Sequence, residues 1–334
     1  MTTLTAKDAL NTRICRLLQI EHPVVQAGMG YIARAELAAA VSNAGGLGVV
    51  GSTGDLSPDE LRQEVRDVKA LTDRPFAVNL LFPFYDQSPE GRKLATETRE
   101  KVEVLLGEGV PVLGAGLGVP EKSVLDACHR AGTLTMATVG AVKHAVGAES
   151  VGVDMIVAQG WEAGGHNSRV ASMALLPAVA RAVDVPILAA GGISGGAGLV
   201  AALALGASAA YIGSAFAVSR EARVHDNFRD AVFAADETST VVSRGYSGKP
   251  VRMISNEFTR FWDEHPEQLQ PFPQQWAKNE HLVVAALVEG RLPEGPVAIG
   301  QIAGMLDHLE SAAEVVQRVV AEATQILERR LWER

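Results

Sequence analysis

Aromatic residues are scarce, at 5% of the chain, although 47% of it is hydrophobic. The apolar content is therefore mostly Ala, Val, Leu and Ile. With 33 glycines it suits helices packed closely on a sheet and argues against an aromatic-rich β-sandwich. Cysteine is also sparse. Cys15 and Cys128 are the only two, too far apart in sequence for a metal-ligand pattern, and they support neither a disulfide framework nor a zinc site. Excess positive charge is missing: the formal net charge is -9, and no Lys or Arg cluster offers the basic face that nucleic acid would need. The N-terminus lacks a signal-like apolar core. No charged residue lies between Asp184 and Arg220, but Gly191-Gly192, Gly195-Gly196 and Gly206 interrupt that stretch. It reads as buried strand, helix and strand rather than as a membrane span. The expectation is a cytoplasmic protein with no nucleic-acid or membrane partner and a small molecule as its ligand. A homodimer is compatible with the sequence but not specified by it.

What is present is a repeated rhythm. Apolar runs at Pro23–Gln26, Leu47–Gly51, Phe76–Leu80, Val110–Leu113, Leu134–Thr138, Met155–Ala158, Pro186–Ala190 and Ala209–Ile212 read as strands. Amphipathic or alanine-rich segments lie between them. Ser57–Leu71 shows the clearest helix start: a Ser cap, Pro58 in the first turn and Glu60 three residues on. Strand–helix–strand units of this kind make a parallel sheet. Eight such strands fit a closed (β/α)8 TIM barrel better than most doubly wound sheets. The Rossmann alternative lacks its signature, because Ala27-Gly28-Met29-Gly30 is followed by Tyr31 and no G-x-G-x-x-G follows the first strand. The sequence thus predicts a barrel over 1–219, a mostly helical substrate or lid segment over 220–300 above the barrel mouth, and 301–334 packing back on the barrel.

In such a barrel the loops that follow the strands build the active site. After the first strand come Gln26-Ala27-Gly28-Met29-Gly30, small enough for a flat ligand to approach the backbone. Asn79, after the third strand, offers both a donor and an acceptor. Glycine-rich turns end the seventh strand (Ala190 to Gly196, with Gly191 and Gly192) and the eighth (Gly213-Ser214). Each precedes a helix start, and bare N–H groups with a helix dipole favour an anion such as phosphate. Tight turns alone would also explain these glycines; their pairing at the last two strands is what favours a phosphate cradle. The loop after the sixth strand, Gln159-Gly160-Trp161-Glu162-Ala163-Gly164-Gly165-His166, carries the side chain best suited to move a proton near neutrality, His166. The other histidines read as surface or capping residues. Glu162 and His166 supply two of the ligands a metal would need and spacing offers no third, so no metal site is expected.

These same stretches resemble the nitronate monooxygenase family, formerly 2-nitropropane dioxygenases, which also includes flavin-dependent enoyl-ACP reductases and NAD(P)H:quinone reductases. They are HPVVQAGMG at 22–30, LAAAVSNAGGLGVVG at 37–51, FAVNLL at 76–81, VAQGWEAGGH at 157–166, PILAAGGISGGAGLVAALALGASAAYIGSAF at 186–216 and GQIAGMLD at 300–307. The resemblance implies non-covalent FMN. Gly191, Gly192, Gly213 and Ser214 would hold its phosphate; Ala27, Gly28 and Met29 would line its ring, with Asn79 at the polar edge and Gln159 and Gly164 close by. His166 matches the family's catalytic His. Thr138 stands among the cofactor-contacting positions where some quinone reductases of the family carry Lys, which weakens the quinone-reductase assignment.

The resemblance implies one of two reactions. In the first, an alkyl nitronate is oxidised with oxygen to a carbonyl compound and nitrite, His166 orienting the nitronate or taking the α-proton of a nitroalkane. In the second, NAD(P)H is the electron donor and a quinone or enoyl thioester the acceptor. The loop Gly114-Ala115-Gly116-Leu117-Gly118 looks closer to that of the reductases, whereas EAGGH is common to both groups. A non-catalytic flavin carrier is disfavoured by a histidine in a loop that has no structural need of one. The nitronate reaction is the first expectation.

Overall fold

The computed structural model describes residues 5–52, 55–84 and 87–329. Its strands are β1 (Val24–Gln26), β2 (Gly48–Gly51), β3 (Phe76–Leu81), β4 (Val112–Gly116), β5 (Leu134–Val139), β6 (Met155–Gln159), β7 (Gly165–His166), β8 (Ile187–Ala190), β9 (Ala209–Ile212), β10 (Thr240–Ser243) and β11 (Val251–Ile254). Eight of them pair in parallel in the order β1-β9-β8-β6-β5-β4-β3-β2. A bridge from Val25 to Leu47 closes the ring. At this seam the Gln26 side chain accepts from the Val49 N–H at 2.9 Å and donates to the Val49 carbonyl at 3.1 Å. A buried amide thus supplies the ladder bonds that the short β1 lacks. The result is a (β/α)8 barrel whose strands lie where the apolar runs place them.

The barrel interior is filled by Val25, Val49, Ala77, Val112, Met136, Val157, Leu188 and Tyr211, as expected when inward side chains from alternate strands stack in layers. Ile14, Cys15 and Leu18 of the helix Arg13–Leu18 join that cluster. Arg13 donates to the Asp184 carbonyl at 2.6 Å, just before β8, so this helix plugs the end where strands begin. The other end is left open. Cys15 and Cys128 are both free and buried, and burial pushes the Cys128 thiol up to about 11.

The crossover helices follow their local signals. Pro58–Leu71 begins with the capping box that Ser57 and Glu60 foreshadow, Glu60 N–H donating to Ser57 Oγ at 3.3 Å and Ser57 N–H to Glu60 Oε2 at 2.7 Å. Helix Ala35–Asn43 lies so close on β2 that a Cβ at Gly48 would stand 1.8 Å from the Ala38 carbonyl oxygen. Backbone cannot rotate away as a side chain can. Gly48→Ala is therefore expected to cost at least about 1–3 kcal/mol, read as a lowered urea midpoint with an unchanged slope.

Beyond Phe216, the chain forms helices Asp226–Phe233, Glu257–Glu264 and Gln274–Leu287 together with the antiparallel pair β10–β11, which the apolar pattern did not single out. β11 also pairs with β7, Val251 opposite His166 and Arg252 opposite Gly165. The helix Ala312–Glu328 packs on Gly196–Ala204, where a Cβ at Gly196 would meet Ala323 N at 2.2 Å. Among the described residues no helix is long and apolar enough to cross a membrane.

Candidate functional site

One cavity of about 560 Å³ opens at the C-terminal ends of the barrel strands. Its lining includes the residues the sequence assigns to the cofactor or to catalysis: Ala27, Gly28 and Met29 after β1, Asn79 on β3, Thr138 on β5, Gln159 at the end of β6, Gly164 in the next loop, His166 on β7, Gly191 and Gly192 after β8, and Gly213 and Ser214 after β9. Residues spread over nearly two hundred positions thus meet at one concave surface, where a parallel barrel places its chemistry.

The slot at β1 is tight because its neighbour is. A Cβ at Gly28 would stand 2.4 Å from Asn79 Cβ, so only glycine lets the turn and the Asn79 amide share the wall. Gly28 N–H donates to Tyr211 Oη at 3.0 Å, which fixes the turn from below. Tyr31 and Leu117 also line the cavity, and both hold positive φ, 66° and 61°, without being glycine. Backbone strain of this kind survives only where the surroundings over-determine it, and it gathers at functional sites.

His166 sits on β7, held from both sides. Pairing with β11 fixes its backbone, and the Gln159 amide donates to its carbonyl. The side chain reaches Ser247 with Nε2 2.7 Å from Oγ, and the Tyr246 ring lies 6.0 Å from its own. Burial, with the nearby positive charge of Lys249, pulls the imidazole down to about 4. At neutral pH the ring is therefore uncharged: a base or a neutral hydrogen-bonding group, and a poor source of protons. The preceding loop is clamped by Arg252, which donates to the Trp161 carbonyl at 3.1 Å and to Thr240 Oγ1 at 2.9 Å while its guanidinium lies 5.2 Å from the Trp161 ring. Asn167 Nδ2 adds bonds to the Trp161 and Ala163 carbonyls at 3.1 and 3.3 Å.

The glycine turns also meet. Gly191 and Gly192 take φ of 96° and 75° in succession, a path that glycine follows without the strain a side chain would bring. Ser214 Oγ accepts from Gly300 N–H at 2.9 Å, and Gln301 N–H donates to the Glu162 carbonyl at 3.0 Å. The tail turn at 299–301 therefore closes over the loops after β6 and β9. One expectation changes. The helix Gly196–Ala204 does not offer its first amide to a ligand, because Gly196 N–H donates to Glu322 Oε2 at 2.7 Å; the C-terminal helix already supplies the carboxylate that the helix start favours. The helix after Gly213 is a single turn, Ser214–Ala217. Any anion held here is left with the glycine turns and the Ser214 hydroxyl.

Sequence reading missed Tyr246, Lys249, Phe272 and Trp276, which wall the cavity from the 220–300 segment, and the buried Ser247 that bonds to His166. Turn-forming Ser247-Gly248-Lys249-Pro250 was the one local signal available.

The family model for nitronate monooxygenase matches residues 11–322. The chain belongs to the nitronate monooxygenase family. A probable nitronate monooxygenase of Staphylococcus saprophyticus is 32% identical, over 96% of this chain and 99% of that protein. Among solved structures, FabK from Thermotoga maritima superposes with a TM-score of 0.85 at 34% identity, covering 95% of this chain and 97% of its own. The nitroalkane oxidase of Streptomyces ansochromogenes gives 0.82 at 32% identity, covering 93% and 98%. This member of the family is accordingly an oxidoreductase, and its family is flavin-dependent.

Proposed function

We propose that the chain binds FMN in the barrel-mouth cavity and oxidises alkyl nitronates to a carbonyl compound and nitrite. The glycines support the cofactor reading: a Cβ at Gly28 or Gly164 would meet its neighbours at 2.4 and 2.6 Å, so only glycine lets these cavity-lining turns pack as closely as they do. Gly191, Gly192, Gly213 and Ser214 would hold the phosphate. Ala27, Gly28, Met29, Asn79, Gln159 and Gly164 would border the ring, with Thr138 on the β5 side. A flavin bound there supplies the two-electron chemistry, taking electrons from an organic donor and passing them on.

The chain's own contribution to the reaction is His166, and its place on the cavity wall, with Nε2 fixed 2.7 Å from Ser247 Oγ, is the observation that carries the proposal. A neutral imidazole can hold a nitronate oxygen through its N–H, or act as a weak base toward the α-proton of a nitroalkane through its unprotonated nitrogen. Ser247 Oγ, 2.7 Å from Nε2, orients the ring.

The second reading, a NAD(P)H-dependent reductase acting on a quinone or enoyl thioester, draws on the loop that ends β4. Gly118 passes so close to the loop after β3 that a Cβ would stand 1.9 Å from the Phe82 carbonyl oxygen, and the loop presents Gly116 and Leu117 to the cavity. Product analysis separates the two. With propyl nitronate in aerated buffer and no pyridine nucleotide present, nitrite and carbonyl compound should appear in equal amounts. Absence of nitrite, together with NAD(P)H oxidation on adding a quinone, would reverse the assignment.

A further inference from the structure

Among the described residues that line the cavity there is no arginine, and Lys249 is the one lysine. The other fully charged group on the wall, Glu162, is already spent: its oxygens accept from Ser172 N–H, at 3.1 Å each, and from Ser172 Oγ at 3.0 Å. Lys249 has no carboxylate within ion-pair distance among the described residues. Its ammonium lies 5.1 Å from the centre of the Phe272 ring, and its side chain is half-buried.

The loop that carries it is rigid. Ser247 is fully buried, and Gly248 adopts φ of 77°, with no room for a Cβ, which would meet the Gln270 carbonyl at 2.4 Å. Arg244 Nε donates to the Gly248 carbonyl at 2.8 Å. On the far side, Asn167 N–H donates to the Pro250 carbonyl at 3.3 Å, tying the loop to the residue after His166. A partly desolvated cation without a counter-charge is costly, and here it faces the space that a substrate would fill. Burial indeed holds the ammonium below the usual lysine range.

We propose that Lys249 is the anion-recognition group of the substrate pocket: its ammonium pairs with the negative charge of a compact anionic substrate. The hydrocarbon part of that substrate rests on the wall of Tyr246, Phe272 and Trp276, whose own geometry is set by Trp276 Nε1 donating to Tyr246 Oη at 2.9 Å. Charge on the substrate, rather than chain length, is then the property selected. This deepens the nitronate reading and rests on it only in placing the substrate in this cavity.

Nitrate, a planar anion that resembles a nitronate head and cannot react, tests the point without turnover. Titrated into flavin-loaded protein, nitrate should perturb the flavin absorbance and saturate. Lys249→Met and Lys249→Gln should each weaken that binding by about tenfold or more, as expected for loss of a charge-assisted contact. Lys249→Arg should stay within a few-fold of the parent, and all three should keep the parent's flavin content and melting temperature. In turnover, Lys249→Met should raise KM for a nitronate far more than it lowers kcat. Nitrate binding that is absent in the parent, or equal in parent and Lys249→Met, overturns the proposal. Lys249-dependent nitrate binding in a protein that makes no nitrite upholds it while rejecting the nitronate reaction.

Discussion

Replacing His166 by alanine should lower nitronate turnover by about 10²–10⁴-fold, the range for removal of a positioned acid–base group, while the flavin stays bound. Among the described residues the imidazole's one hydrogen bond is to Ser247 Oγ, at 2.7 Å. Its loss should therefore leave flavin content and absorbance unchanged and appear in kcat. The pH profile adds a second signature. Burial lowers the imidazole from its ordinary 6.5 to about 4, so the working neutral form persists well into acid. An acid limb assigned to His166 should fall near 4 and not near 6.5. The sign for stability follows from the same shift. Between those two values the unfolded chain binds a proton that the folded one does not. His166 thus contributes stability that is present above 6.5 and is lost as the pH falls toward 4. His166→Ala should flatten that part of the stability curve; an acid limb at 6.5 in the parent would show the ring to be solvated and the base assignment mistaken.

Gly164→Ala is expected to empty the cofactor site. A Cβ there would stand 2.6 Å from the Ile299 carbonyl carbon and 2.7 Å from Gly300 N, and both are backbone. The tail turn must move, and with it go the Gly300-to-Ser214 bond of 2.9 Å and the Gln301-to-Glu162 bond of 3.0 Å. These bonds hold the Ser214 hydroxyl and the loop after β6 in place. If the flavin phosphate loses two bonds that each contribute about 1.5–3 kcal/mol to a charged group, affinity should drop by about 10²-fold or more. The purified variant should be pale, refill only at high FMN, and lose the thermal stabilisation that added FMN gives the parent. The barrel itself should persist, because the strands' apolar core lies below the turn. Full flavin content in Gly164→Ala would mean the tail is not part of the cradle.

The barrel was legible because its signals are local. Each barrel strand is a short apolar run and the clearest helix start a capping box, as at Ser57 and Glu60, so length and spacing suffice. The cavity wall contributed by the barrel was legible for the same reason: a glycine after a strand in an eightfold repeat has a fixed place. The other wall was not. Ser247 lies 81 residues from the histidine it contacts, and β10 and β11 are four-residue strands whose pairing, with each other and with β7, is long-range. No periodicity in the 220–300 segment announces that Lys249 will face His166. The helix start after β8 shows the limit from the other side. Glycines there suggested a free dipole end, but a carboxylate from the last helix, Glu322, occupies it, and only the tertiary packing of Gly196 against Ala323 brings it there.

Which donor reduces the flavin decides whether the neutral His166 and the lone cavity lysine serve an oxygenase or a reductase. Anaerobic mixing of the FMN-loaded protein with an alkyl nitronate, and separately with NADH and NADPH, measures this directly as bleaching of the flavin band. Rapid bleaching by the nitronate, with slow or no bleaching by either pyridine nucleotide, is the expected result; rapid bleaching by NADH or NADPH with none by the nitronate would contradict it.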